Sequence, residues 1–425
     1  MTASTRKPRL ICIPHYIGSV RYFEKLTPFL EQKYDVSFLL LPLNRGKYQQ
    51  EMIRYCTERS LHTLVVPRPT PNFLTRHIPF YEELRQARIY KHEIRRLYAS
   101  GDIRKIVSIN DCGFPLNYVL REAQKKGADT LVLQWAVVAP GQQVGPQYVS
   151  SNIFRRLVFR YGKPLYEYCR KILLACVIGS RLDVAKRTIG SGSAKKFGVI
   201  NGQTRDYVAG RGVPLRKITV VGYLDFFLAE KMSKDLAKDA GPREKLARIH
   251  GFDMHKKNII VFSSPYNTKD VTFLSDEEQY RYVESIFTGL WSVLPKDQYD
   301  FHLKIHPAED KNLYRHLASR GVKIYGKETN NFEIIGISDL YIADSTTTNF
   351  IPIIMNKDSI FVNFLKLEMV DMAKESYGIH AFVHTLHEFE KLVIDWREGR
   401  LEKQYTQDEY IYTKNSLEKI MAWIN

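Results

Sequence analysis

The 425-residue sequence contains no apolar run approaching the roughly 18 residues needed for a membrane-crossing helix. Its opening residues, Met1 to Lys7, lead toward a short strand and lack the apolar core of a signal peptide, so a cytoplasmic protein is expected. The five cysteines (Cys12, Cys56, Cys112, Cys169, Cys176) are scattered, odd in number and without any C-x-x-C pair. That spacing excludes a disulfide framework and a structural zinc site, and predicts reduced, mostly buried thiols. No G-x-G-x-x-G turn, Asp-x-Asp pair, zinc finger, RNA-recognition signature or long Lys/Arg arm occurs. Neither a metal nor a cofactor is therefore expected, and specific nucleic-acid binding is not.

What the chain has is positive charge. Its 63 Lys and Arg against 46 Asp and Glu give a net charge of +17. Such an excess favours anionic partners: the phosphates of a nucleotide, an anionic glycan or the anionic face of a membrane. Between residues 150 and 171, Arg155, Arg156, Arg160, Lys163, Arg170 and Lys171 alternate with aromatic and aliphatic residues. That pattern suits a membrane surface as well as a basic-faced helix on a sheet.

The first two hundred residues repeatedly set an apolar strand before a helical segment, the arrangement of a parallel sheet with crossover helices. Strands are expected at 9–14, 36–41, 64–66, 105–109 and 130–134, with a further strand and Gly turn within 214–225; helices are expected at 20–32 and 76–98, after 113 to about 126, and from about 200 to 210–212. A polar, Lys-rich stretch from 229 to 257 looks like a connection plus a surface helix. A second series follows: strands 258–262, 301–306, 322–325, 340–343 and 359–364, helices 276–294 and 310–319, and a final helix at 415–424. The expected architecture is α/β, two Rossmann-like domains, 1–225 and 226–425, with the last helix packing back on the first.

Two segments carry most of the chemistry. Phe301, Leu303 and Ile305 alternate with His302, Lys304 and His306, the period of a strand, and Pro307 stops it. In open α/β sheets ligands bind outside the carboxyl ends of strands, where His306 falls. The second segment places the apolar run Leu340 to Ala343 before Asp344-Ser345-Thr346-Thr347-Thr348 and a helix from about 349 to 356 whose first turn tolerates Pro352. Ser345 and Thr346 are natural caps there, and such a helix start is an anion site.

These features resemble the two-domain GT-B glycosyltransferases, and more narrowly the bacterial groups that move CMP-activated sugars or CDP-activated alditols into capsules, lipo-oligosaccharides and teichoic acids. His306-Pro307, the Asp344-Ser345-Thr346-Thr347 turn and the run Gly210-x-Gly212-Val213-Pro214-x-Arg216-Lys217-Ile218-Thr219-Val220-Val221-Gly222 carry the resemblance. It implies a cleft between the domains, a nucleotide donor on the C-terminal one and a glycan or glycolipid acceptor on the N-terminal one. It further implies that His306, Ser345 and Thr346 hold the donor phosphate, and that an acidic residue before a Gly is the base. Asn110-Asp111-Cys112-Gly113 matches that last motif loosely, with Asp111 two positions from the Gly.

Transfer of a sugar to a hydroxyl requires a base for the acceptor proton and donors for the leaving phosphate. Asp111 and His15, each after a strand, are the two candidate bases. Lys304 and Arg205 are candidate phosphate ligands beside His306, Pro307 and Thr347. Ser263 and Ser264 follow another strand as donor contacts, and Gly18 with Ser19 could hold a second anion. The expected activity is a metal-independent glycosyltransferase with a CMP-sugar donor, at the inner membrane face. A UDP-sugar 2-epimerase, a CDP-alditol phosphotransferase and a non-catalytic glycan- or membrane-binding protein remain alternatives. The Ser-Gly-Gly turn typical of the epimerases is missing from Ser345-Thr346-Thr347-Thr348-Asn349.

Overall fold

A computed structural model describes residues 7–43, 48–68, 79–99, 102–135, 163–178, 188–268, 271–272, 274–344 and 346–425. Most of the basic-aromatic segment, 150–162, and the Gly/Gln-rich loop after Trp135 fall outside the described residues. The chain is α/β and divides into two compact units. The described residues before Asp225 together with Asn415–Asn425 form the first, and Asp225–Lys414 form the second. Among the described residues no helix is long and apolar enough to cross a membrane.

The first unit is built on seven parallel strands: β1 (Arg9–Ile13), β2 (Asp35–Leu40), β3 (Thr63–Val65), β4 (Ile103–Ser108), β5 (Asp129–Leu133), β6 (Lys196–Val199) and β7 (Ile218–Val220). They lie in the order β3-β2-β1-β4-β5-β6-β7. Leu10 to Ile13 and Val36 to Leu40 are buried throughout, as expected of parallel strands covered on both faces. The helix Pro79–Ala99 buries Ala87, Tyr90, Ile94 and Tyr98, a stripe at helical spacing, against this sheet.

β6 has no counterpart among the expected strands. It is short and carries Gly198, where a Cβ would come within 2.9 Å of Val221 and 3.1 Å of Trp423. The glycine that weakens its sequence signal is what lets the C-terminal helix Ser416–Ile424 lie close. Lys105 Nζ, donating to the Asn425 carbonyl at 3.0 Å, fastens the end of that helix to β4.

The second unit holds β8 (Lys257–Phe262), a small antiparallel hairpin of β9 (Asn267–Thr268) and β10 (Val271–Thr272), then β11 (Tyr299–Lys304), β12 (Lys323–Tyr325), β13 (Leu340–Ala343) and β14 (Asp358–Phe361). Its main sheet is parallel in the order β12-β11-β8-β13-β14. Renumbered from its own first strand this is 3-2-1-4-5, the order with which the first unit's sheet also begins. Each sheet therefore reverses direction beside its first strand, at β1/β4 and at β8/β13, the position where open sheets bind ligands.

Three expectations change. The stretch 229–257, expected as a connection plus one surface helix, falls on two helices, Leu224–Lys238 and Ala240–His250, the second capped by Asp239 and ended by Gly251. β11, whose polar residues alternate with apolar ones in the sequence, is buried on its polar face as well: His302 is fully buried, stacked on Phe252 at 3.8 Å between ring centroids and bonded to Tyr325 and Asn258. Of the thiols, Cys12 and Cys56 are buried whereas Cys169 and Cys176 are exposed.

Gly222 provides a test of the docked C-terminal helix. Its φ is +87°, and a Cβ there would stand 2.1 Å from Ser416 Oγ, whereas Gly212 has the same φ with nothing within 4 Å. Gly212→Ala should cost roughly 1–2 kcal/mol for the left-handed backbone alone. Gly222→Ala should cost about 2–4 kcal/mol because overpacking adds to it. Urea unfolding of the two variants side by side measures the difference.

Candidate functional site

In the second unit the register brings three loops to one level. Phe262 pairs with Lys304 on one side and with Ala343 on the other, so Ser263, Ile305 and Asp344 leave the sheet in a row. A cavity of about 200 Å³ opens there, lined by Ser263, Lys304, His306, Pro307, Asn331 and Thr346 among others. The structure thus gathers five residues singled out from the sequence, although His306 stands two residues beyond β11 and not at its last position.

Lys304 is 3 % exposed and donates to the neutral Ile305 carbonyl at 3.1 Å. Burial pulls its pKa below the ordinary lysine value, with Glu328 and Glu309 opposing. Burial, then the Lys304 charge, lowers the His306 pKa as well. The Ala308 amide donates to His306 Nδ1 at 3.2 Å, so the neutral ring carries its proton on Nε2 and is a donor there. Asn331 Oδ1 in the cavity wall is buried without a partner.

Glu309, which the sequence reading passed over, organises this turn. Its carboxylate accepts from the His306 amide (2.8 Å), Gln279 Nε2 (2.9 Å), the Tyr314 hydroxyl (2.6 Å) and the Ser263 hydroxyl. Asp344 is a second inward carboxylate, taking the hydroxyls of Ser264 and Tyr282 and pushed up to about 6 by burial. The Ser264 hydroxyl is therefore committed to Asp344, contrary to its expected role at the donor.

The expected helix after β13 is a single 3-10 turn, Thr347–Asn349, followed by the short helix Phe350–Ile354 with Pro352 inside it. Thr346 caps it through Thr348 N, so the strong helix-start anion site expected there is absent. Thr346 and Thr348 nonetheless line the cavity. Ser345 and the Thr347 side chain lie outside what the structure describes.

In the first unit Ile13 pairs with Ser108, so the loops bearing His15 and Asn110 also start level. A cavity of about 400 Å³ lies at these strand ends, with His15, Glu82, Glu83, Tyr90, Asn110 and Phe114 in its wall. His15 Nε2 is buried without a partner, and burial lowers the ring to about 4, so the imidazole is neutral at neutral pH.

Asp111 does not face this cavity. It is fully buried, and its carboxylate takes the Gly190 amide (2.8 Å), the Ala194 amide (3.3 Å) and Lys217 Nζ (3.1 Å). The acidic residue offered as a base is the anchor of the loop 188–194, which crosses it so closely that a Cβ on Gly192 would meet the Asp111 carbonyl at 2.0 Å. Ser19 is likewise spent locally: its hydroxyl accepts the His15 and Tyr16 amides and donates to the Tyr16 carbonyl. Gly18 is covered by the edge-packed Tyr16 and Trp135 rings, each 3.4 Å from where its Cβ would be, which removes the second anion pocket. Arg205 belongs to this unit and pairs with Asp206 at 2.7 Å. Among the described residues no group of three or more His, Cys, Asp or Glu could hold a metal ion.

No family model matches the sequence, and no curated protein does either. The fold, however, is shared with solved structures over nearly the whole chain. The UDP-GlcNAc 2-epimerase of Methanocaldococcus jannaschii aligns with a TM-score of 0.57 at 14% identity, covering 98% of this chain and 99% of that one. A variant of the wall teichoic acid polymerase TagF aligns at 0.51 and 12% identity, covering 98% and 88%. A glycosyltransferase of Rickettsia africae aligns at 0.50 and 12%, covering 99% and 94%. The architecture is thus the two-domain GT-B fold.

Two outcomes follow from the buried charges. Asp111→Ala should cost about 3–5 kcal/mol by stranding Lys217, and Asp111→Ala with Lys217→Met should recover much of that, as read by chemical denaturation. The second concerns pH. Unfolded His15 takes its proton near 6.5 and folded His15 near 4, so stability falls as pH drops through that window. Asp344 takes its proton near 6 when folded and near 3.8 when unfolded, so its contribution rises over nearly the same window. His15→Gln should make the stability profile less acid-sensitive, and Asp344→Asn more so; unchanged slopes would contradict both assignments.

Proposed function

We propose that this protein is a glycosyltransferase that takes its sugar from a nucleotide-activated donor, with a CMP-sugar as the favoured class. The observation that carries the reading is the cavity at the carboxyl ends of β8, β11 and β13, where Lys304, His306, Thr346 and Thr348 converge. A diphosphate or monophosphate supplies an anion within reach of the Lys304 ammonium, whose own hydrogen bond goes to a neutral carbonyl, and an acceptor for His306 Nε2–H. As the sugar–phosphate bond breaks, charge grows on the phosphate oxygens, and the same two groups stabilise it without reorganising. His306 Nδ1 is already engaged by the Ala308 amide, so the ring is oriented before donor arrives.

The acceptor belongs, in this reading, to the cavity of the first unit. There His15 presents an unpartnered Nε2 on a neutral ring, and its Nδ1–H tautomer is the form that takes a proton from a hydroxyl. With Asp111 held by Lys217, His15 is the candidate base that the geometry supports. The product would enter a surface polysaccharide or lipo-oligosaccharide at the cytoplasmic face of a membrane.

An isomerase acting on the same donor, of the UDP-sugar 2-epimerase kind, shares the fold and would use the same phosphate cradle. The two readings separate in one assay. A transferase releases nucleotide from CMP-, CDP- or UDP-sugars in proportion to added acceptor oligosaccharide, whereas an epimerase interconverts epimers without acceptor. His306→Ala and Lys304→Met should each weaken CMP or UDP binding by about one to two orders of magnitude, the equivalent of roughly 1.5–3 kcal/mol for a hydrogen bond to a charged group. Isothermal calorimetry reads this directly, with thermal unfolding as the control for intact fold. Nucleotide affinity indifferent to both substitutions would sink the proposal.

A further inference from the structure

We infer that the cavity of the first unit receives an uncharged saccharide, so that the acceptor ends in a neutral sugar and not in a phosphate- or carboxylate-bearing one. This rests on the transferase reading above and specifies its second substrate.

The cavity is polar, yet among the described residues the charges of its wall are matched. Arg68 reaches Glu82 Oε1 with both Nε (2.9 Å) and Nη2 (2.5 Å), and Arg170 reaches Glu83 with Nε (2.5 Å) and Nη2 (3.0 Å). Both carboxylates come from consecutive residues of the helix Pro79–Ala99, so the two pairs sit side by side in the wall. An anionic ligand would meet two carboxylates for two guanidiniums and lose its hydration with no net charge gained in return. A cation would fare no better.

The polar atoms left over in the wall suit hydroxyls. Tyr90 is 1 % exposed and its hydroxyl has no hydrogen-bond partner; the same holds for His15 Nε2. A buried phenol without a partner costs on the order of 1–3 kcal/mol, so a ligand that satisfies it recovers that penalty. A sugar hydroxyl both donates and accepts, and can satisfy a phenol and an imidazole nitrogen together, whereas a phosphate oxygen only accepts. The part-exposed Phe114 ring, packed edge to face on Tyr90 at 5.3 Å, adds apolar surface for the C–H face of a pyranose. The volume of about 400 Å³ lies within the range of small-molecule sites, roughly 300–1,000 Å³.

The test uses the full chain in calorimetric titrations with two saccharide panels and, on the same samples, CMP and UDP. The neutral panel is lactose, maltotriose and chitotriose; the anionic panel is sialyllactose, trigalacturonate and glycerol phosphate. A neutral saccharide should bind, and Tyr90→Phe should weaken it about threefold to tenfold, the loss of one buried hydrogen bond, with nucleotide binding unchanged. Glu83→Gln leaves Arg170 uncompensated and should shift preference toward the anionic panel. The inference is overturned if the anionic panel binds and the neutral one does not, if neither binds while nucleotides do, or if neutral binding ignores Tyr90→Phe. Saccharide binding that depends on Tyr90 in a protein that binds no nucleotide would overturn the transferase reading and support the saccharide site.

Discussion

The Glu309 carboxylate accepts from the amide of His306, from the hydroxyls of Ser263 and Tyr314 and from Gln279, and so ties the turn after β11 to the loop after β8 and to the helix Asp276–Val293. A backbone turn bearing a proline has few hydrogen bonds of its own, and one acceptor with several lone pairs can close it from beneath. Burial raises the cost of ionising Glu309, and the donors crowding it offset that cost. The cavity-facing groups are therefore neither strained nor loose. Their positions are set by a carboxylate that does not itself line the cavity.

The first unit solves the same problem with a different group. Asp111 follows β4 as Asp344 follows β13, and its carboxylate collects the Gly190 and Ala194 amides and the Lys217 ammonium. Lys217 comes from the 3-10 turn ahead of β7, so one ion pair joins the sheet's switch point to its far edge. Glycines are the corollary. Loop 188–194 can wrap the acid only because positions 190 and 192 carry no Cβ, and the pair is then sealed from water. In both units an inward acid anchors a strand-end loop: Glu309 the turn that bears His306, and Asp111 its own segment, whose neighbours Asn110 and Cys112 line the cavity.

This arrangement explains what could and could not be read from the residues. Parallel strands covered on both faces are continuous apolar runs, so Leu10 to Ile13, Ile259 to Phe262 and Leu340 to Ala343 were legible without tertiary information. His306-Pro307 was legible because a strand end is a sequence event. Glu309 was not: two residues after a proline and ahead of a polar helix, it reads as an exposed helix start, and only the Gln279 and Tyr314 partners from other segments turn it inward. Asp111 was misread for the converse reason. An acid after a strand looks catalytic until the chain about eighty residues on folds over it, and no local pattern announces Lys217 as its partner. Strand-end position is encoded locally, whereas which side of the loop a carboxylate takes is decided by residues far along the chain.

Charge operates here on two scales. The excess of 63 basic over 46 acidic residues sets a long-range field that draws anions to the surface and speeds their encounter. That field is screened within about 10 Å at ordinary ionic strength, so it cannot choose a ligand once contact is made. Choice depends on local pairing. In the second unit Lys304 is buried with its ammonium on a neutral carbonyl and His306 carries a donor Nε2, the groups to which the proposed donor phosphate is assigned. In the first unit Arg68 and Arg170 have already spent their charge on Glu82 and Glu83, and the unsatisfied groups are a phenol and a neutral imidazole. Two cavities on the same strand order thus ask for opposite chemistry, an anion in one and hydroxyls in the other. That difference is what an enzyme needs if it is to keep an activated donor and an alcohol acceptor from competing for one site.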